Sequence, residues 1–202
     1  MINSSDVYLK IKNSVISLIG NRPALQIGHY QVIDYDTAWL DVALLRAARA
    51  ADHQDFPFTA DIRNGIVQYL ETKCPLKLLQ ISDLFERVRQ MLVEIGFARM
   101  AEELEPLAPP VTVSLIRTAM DAGNGFELAF FETLRRELGA LRAAGAEEIY
   151  FIGLRESSLI LRSSREWNKQ CEILLLEIGI FLSGWGRAYE DRNRSQVICS
   201  TL

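Results

Sequence analysis

Few residues in this chain are of types that do chemistry, and their spacing limits what that chemistry could be. His29 and His53 are its only histidines. Each could act as a general base or a metal ligand, but neither has a carboxylate or second histidine at ligand spacing on one element. The alternative is a loop or turn histidine with a structural hydrogen bond. Asp34 and Asp36, in the stretch DYD, are expected on one side of an extended segment. Such a pair could bind Mg²⁺ or share a proton. Otherwise Asp36 caps the next helix and Asp34 faces solvent. Cys74, Cys171 and Cys199 are odd in number and far apart, with no C-x-x-C spacing. That pattern argues against a disulfide framework or zinc ribbon and for buried thiols in a reducing compartment.

The charged residues read as structural. Asp83 and Glu86 suit the positive end of a helix, and Asp83 with Arg87 is expected to form a surface pair. Arg135, Arg136 and Arg142 are interleaved with Glu127, Glu132 and Glu137, a solvated face rather than a basic stripe for nucleic acid. Arg155 and Arg162 flank an expected hairpin and could grip an anion. There is no G-K-[ST] phosphate loop, G-x-S-x-G elbow or H-E-x-x-H. The Gly184–Gly186 stretch begins like a dinucleotide fingerprint, but Tyr189 stands where its third glycine belongs. No catalytic residue and no metal ligand is therefore assigned.

The elements that must position these residues follow from periodicity and punctuation. A helix is expected over residues 4–18, then strands over residues 24–27 and 31–35 around Gly28, which can turn tightly. Asp36 or Thr37 caps a helix with Leu40, Ala43, Leu44 and Ala47 on its apolar face. Thr59 or Asp61 opens another, with Ile62, Ile66, Tyr69 and Leu70 inward. After an extended stretch around Pro75, Ser82 or Asp83 caps a helix that turns Leu84, Val88, Met91, Leu92 and Ile95 to the core and ends near Gly96.

EPLAPP, residues 105–110, marks a boundary because three prolines in six residues cannot continue a helix. Beyond it, residues 110–118 alternate like a strand, and residues 124–145 read as a helix stopped by Gly145. Residues 147–154 and 157–163 read as a hairpin of strands. Ser163 with Glu166 forms a capping box for the last long helix, which is apolar on nearly every face from Ile173 to Leu182. The polar tail from Glu190 is expected to fray. No internal repeat is visible in the sequence.

Composition sets the outer bounds. The 202 residues are 49% hydrophobic and 24% charged, with a net charge of −4. That is the balance of a globular chain with a core of its own and with no field drawing it to nucleic acid or an anionic membrane. No leader-like apolar run opens the sequence, and the greasiest stretch is broken by Glu172 and Glu177. The expectation is a cytoplasmic protein.

The order hairpin, helix, helix, extended loop, helix over roughly residues 24–104 resembles the ATP-cone. That is the nucleotide-binding regulatory domain of ribonucleotide reductases and their transcriptional repressor. Tyr35-Asp36, then Leu40, Ala43, Leu44 and Ala47, fit its hairpin end and first helix. Ile81, Asp83-Leu84, Val88, Leu92, Gly96, Ala98 and Ala101 fall where the family has its corresponding residues. The resemblance implies a nucleotide site near Arg22, Gly28, His29 and Tyr30. The residues that would meet a triphosphate are missing, however. The family's Lys-Arg-Asp-Gly-like segment is replaced by Leu25-Gln26-Ile27-Gly28, and no Lys or Arg occurs between Arg22 and Arg46. A triphosphate without nearby cations is costly to desolvate. A nucleotide cofactor is thus left open but unsupported by the charge pattern.

The sequence-level expectation is an α+β protein in two parts. Residues 1–105 form a mostly helical, cone-like part with a short hairpin, 106–110 a proline-rich linker, and 111–202 a small β-α-β-β-α part. The function expected is a non-catalytic regulatory or binding protein, with a homodimer or protein partner held through the apolar C-terminal helix. Two alternatives stand beside it: a small enzyme using Asp34 and Asp36 with Arg155 or Arg162 between the parts, and a structural homodimer module.

Overall fold

The computed structural model describes residues 22–185, together with the strands Arg187–Asp191 and Gln196–Ser200. The helix expected over residues 4–18 lies outside the described residues. Eight helices and seven strands are described, so the chain is a mixed α+β protein and mostly helical.

The first unit opens on β1 (Ala24–Ile27) and β2 (Tyr30–Val32), paired antiparallel with Leu25 opposite Val32. Gly28 makes the turn possible at φ 59°, a conformation glycine adopts without strain. Then come α1 (Ala38–Ala50) and α2 (Thr59–Thr72). The stretch after Pro75 becomes β3 (Leu78–Gln80), which pairs parallel to β1 and makes a three-stranded sheet. β3 runs straight into α3 (Ile81–Glu94), so neither Ser82 nor Asp83 caps it; Gln80 is its extended first flank, without a side-chain cap. The short α4 (Ala98–Glu102) closes the unit.

The second unit departs from the expected β-α-β-β-α order. The strand after the prolines is only β4 (Val111–Ser114), because the apolar spacing changes from two to three or four. Leu115, Thr118 and Ala119 are buried on one side of α5 (Leu115–Ala122). The long α6 (Glu127–Ala143) leads to β5 (Glu148–Ile152), parallel to β4 with Val111 opposite Ile149. The expected second hairpin strand, residues 157–163, is instead within α7 (Leu154–Leu161). Gly153, left-handed at φ 82°, breaks the chain out of β5. The buried face of α7 is Leu154, Ser157, Ser158 and Leu161, helical spacing carried half by serines. Their hydroxyls donate to Gly153 O (2.6 Å) and Leu154 O (3.0 Å), which lets them be buried inside a helix.

The last long helix, α8 (Lys169–Ser183), is capped by Asn168 rather than by the Ser163/Glu166 box. Asn168 Oδ1 accepts from the Gln170 and Cys171 amides, while Ser163 sits at φ 52°. In place of the expected frayed tail, β6 (Arg187–Asp191) and β7 (Gln196–Ser200) are paired antiparallel, and β7 pairs antiparallel to β5. The sheet order is β4-β5-β7-β6. The unit thus reads strand, short helix, long helix, twice over, then a hairpin, a geometric duplication with no counterpart in the sequence.

The buried apolar residues of both units belong to one continuous core, from Leu25 to Leu182. The proline-rich segment is packed into it, with Leu107 and Ala108 buried. Ala108 donates to Gly145 O at 2.9 Å, and Gly145 is left-handed at φ 86°. A Cβ there would stand 2.3 Å from Pro106 O, so only glycine lets the two segments pass.

Candidate functional site

The four residues implied by the cone resemblance do not converge. Arg22 precedes β1 and is already engaged: it donates to Tyr35 O (3.1 Å), pairs with Glu71 (3.2 Å) and lies 5.7 Å from the Tyr35 ring centroid. Burial pushes the Tyr35 hydroxyl up to about 12 against the opposing pull of Arg22. Gly28, His29 and Tyr30 lie at the far end of the hairpin, about 20 Å of extended chain away. Gly28 and His29 are exposed. Tyr30 turns to the other unit and donates to Glu137 Oε2 at 2.8 Å; burial and then that carboxylate raise its pKa. The hairpin therefore offers no uncommitted cation among the described residues.

The crevice between the units has a volume near 260 Å³. Asp36 lines it beside Glu147 and Glu148, over a floor that includes Trp39, Leu107 and Pro110. Asp36 Oδ1 accepts from Ala38 N at 3.0 Å, and its carbonyl accepts from Trp39 Nε1 at 2.9 Å, a turn just ahead of the helix; the cap position itself is Thr37, which makes no side-chain cap bond. Asp34 is not extended: it sits at φ 58° and does not line the crevice. Arg155 lies 4.3 Å from the Trp167 ring centroid, and Arg162 pairs with Glu127 at 2.9 Å. Both belong to α7 and its end, since the hairpin they were to flank does not exist. The enzyme reading loses its assembly: the crevice holds one of its two aspartates and neither arginine.

A third place was missed by the sequence reading. Between α2 and α3 runs a groove of two hollows, near 250 and 340 Å³, that share Gly65 and Met91 in their walls. Their sizes approach those of small-ligand pockets. The larger hollow is lined by Phe58, Ile62, Ile95 and Phe97, with Asp61 as its one charged residue. Ile95, expected in the core, is 49% exposed there, as is Phe58. Phe56, Phe58 and Phe97 pack edge-on or tilted with centroids 5.1–6.2 Å apart, and exposed His53 rests against Phe56 and Phe97. That contact gives His53 a packing role.

The smaller hollow is polar at its rim, with Tyr69, Arg87 and Glu94. Arg87 does not pair with Asp83. Its guanidinium donates to the Tyr69 hydroxyl at 2.8 Å and lies 5.8 Å from that ring's centroid. Gly65 is an exposed mid-helix glycine whose missing Cβ would meet nothing within 4 Å. A glycine costs about 1 kcal/mol against alanine in such a place. An isolated glycine inside a helical pattern was the one available sequence signal for this groove.

No family model matches the chain, and no curated protein or solved structure matches it. Among the described residues no group of three His, Cys, Asp or Glu could hold a metal ion, and no helix is long and apolar enough to cross a membrane. Fold and geometry define the class: a mixed α+β, mostly helical protein with an open apolar groove on its first unit.

Proposed function

We propose that the chain is a non-catalytic binding protein whose ligand site is the α2–α3 groove. The observation that carries this reading is the juncture at Gly65 and Met91, where two hollows join beneath exposed Phe58 and Ile95. Exposed aromatics around a concave surface mark contact sites more than a scattered apolar residue does. Of the titratable residues weighed for chemistry, Arg22 and Arg162 are held in ion pairs, and His53 and Arg155 lie against aromatic rings.

The ATP-cone-like reading of the first unit belongs with this proposal. It is supported by the order of elements, hairpin, helix, helix, third strand, helix. In this reading the cone is degenerate, with its ligand taken by the groove and not by the hairpin. The test is Nile red fluorescence on the full chain, beside thermal melting with ATP, dATP and Mg²⁺. One-to-one dye enhancement that Gly65→Leu abolishes, with no nucleotide shift, is the expected result. A nucleotide-dependent rise in Tm would return the site to the hairpin.

A second copy of the chain is the partner that α8 suggests. Cys171, Leu174, Ile178 and Leu182 are buried, while Ile173, Leu176 and Ile180 face outward, the last two 58% and 72% exposed. Spacing of three and four along one face is that of a helix-pairing seam.

A further inference from the structure

We propose that the α2–α3 groove takes an anionic amphiphile, an alkyl carboxylate of about ten carbons, with its head on Arg87 and its chain running past Met91 to Phe58 and Phe97. This rests on the groove being the binding site. It goes further in fixing the ligand's charge and length.

The head is assigned by Arg87. Its partner is the Tyr69 hydroxyl, and no carboxylate among the described residues pairs with it. Tyr69 takes one of five guanidinium N–H donors, with its ring centroid 5.8 Å from the guanidinium carbon, which leaves the group in the wall of the smaller hollow with donors to spare. That planar fork matches a carboxylate with two parallel hydrogen bonds. Glu94 cannot serve as its partner, being two helical turns and about 10 Å further along α3. Asp61, at the apolar end, lies in the first turn of α2, where the helix dipole favours its charge.

The tail is assigned by the other hollow. Phe58, Ile62, Ile95 and Phe97 offer a hydrocarbon chain an almost wholly apolar wall. Arg87 and Ile95 are eight residues apart on and just beyond α3, an axial distance of about 12 Å. An extended alkyl chain advances about 1.25 Å per 1.5 Å carbon–carbon bond, so about ten carbons span it. Gly65 fits the same picture: it lines both hollows, a Cβ there would meet nothing within 4 Å, and a large side chain would project into the passage between head and tail.

The test is calorimetric titration of the full chain with sodium decanoate below its micelle concentration, beside decyltrimethylammonium and butanoate. The proposal expects one decanoate site, at least tenfold weaker binding in Arg87→Gln, and loss of binding in Gly65→Leu. Met91→Glu, at the half-buried residue shared by the two hollows, is the second blocking variant, with far-UV circular dichroism showing that it folds. Decyltrimethylammonium should bind at least tenfold more weakly than decanoate, and butanoate not at all. Equal binding of both ten-carbon probes, lost in Gly65→Leu, overturns the anionic assignment and leaves the groove reading standing. Decanoate binding that survives both blocking variants, or is absent while an acidic amphipathic peptide binds, overturns the proposal. Nile red then decides the groove reading separately.

Discussion

The Tyr30 hydroxyl donates to Glu137 Oε2 at 2.8 Å, tying β2 of the first sheet to α6 of the second unit across 107 positions of chain. A half-buried phenol bonded to a carboxylate is a charge-assisted contact, stronger than a neutral one. Tyr30→Phe should cost about 1–2 kcal/mol, read as a lower denaturation midpoint at unchanged slope. An unchanged midpoint would mean that this hydrogen bond adds nothing to the contact between the units.

The same tyrosine sets an alkaline limit. Tyr30 and Tyr35 both have raised pKa values in the fold, that of Tyr35 reaching about 12. The unfolded phenols ionise near 10. A raised folded pKa means their contribution is complete below pH 10 and is lost as pH climbs from there through 12. Absorbance titration at 295 nm should show late phenols, Tyr30 and Tyr35 among them, and Tyr30→Phe should remove one.

Arg46 and Glu147 form a two-point ion pair between α1 and the start of β5, one of its bonds 2.9 Å long. The Arg46 hydrogen bonds hold the Glu147 carboxyl below the usual carboxylate range, against a smaller effect of burial. A depressed carboxylate contributes above its unfolded pKa near 4.3 and loses that contribution as pH falls through the folded value. Both side chains are about half exposed, so the effect is a fraction of a kcal/mol. Glu147→Gln should flatten the stability–pH curve below pH 5 while moving it little at pH 7.

Gly145→Ala is expected to be the most damaging single methyl in the chain's second unit. It forces a left-handed non-glycine and drives a Cβ against Pro106 O. The conformational part alone costs about 1–2 kcal/mol, and the collision adds to it. Thermal melting should show a loss of several degrees. Asp36→Ala, by contrast, should cost only about 1 kcal/mol, as loss of one hydrogen bond in the turn ahead of a helix does. A larger change in any binding than in stability would restore the crevice as a site.

For α8, sedimentation at several concentrations tests the pairing of two copies. The chain should sediment as a dimer at micromolar concentration, and Leu176→Glu should leave a folded monomer, because a charge on that seam must be desolvated to pair. A wild-type monomer at all concentrations removes the dimer reading.

The helices of the first unit were readable because their signals are local. Leu40, Ala43, Leu44 and Ala47 repeat at helical spacing, and all four are buried. Gly28 and Gly145 mark turns that need positive φ, and both have it. The α+β class followed from the same local patterns. Residues 157–163 failed because Ser157 and Ser158 occupy a buried helical face that periodicity counts as polar. Their hydroxyls are satisfied by carbonyls one turn back, a fact of the folded helix and not of composition. β7 failed because a polar tail becomes a central strand only when β5 offers it an edge.

The sequence by itself determined five of the eight described helices (α1, α2, α3, α6 and α8), the turns at Gly28 and Gly145, and that the hairpin has no run of cations to meet a triphosphate. Those depend on residue types and on neighbours within a few positions. Only the tertiary structure decided that Arg22 is consumed by Tyr35 and Glu71, and that Arg87 leaves Asp83 for Tyr69. It alone opened a groove at Gly65. Each of those outcomes is a choice among competing partners separated by tens of residues, and such choices are settled by which surfaces the packed core brings within a few ångström.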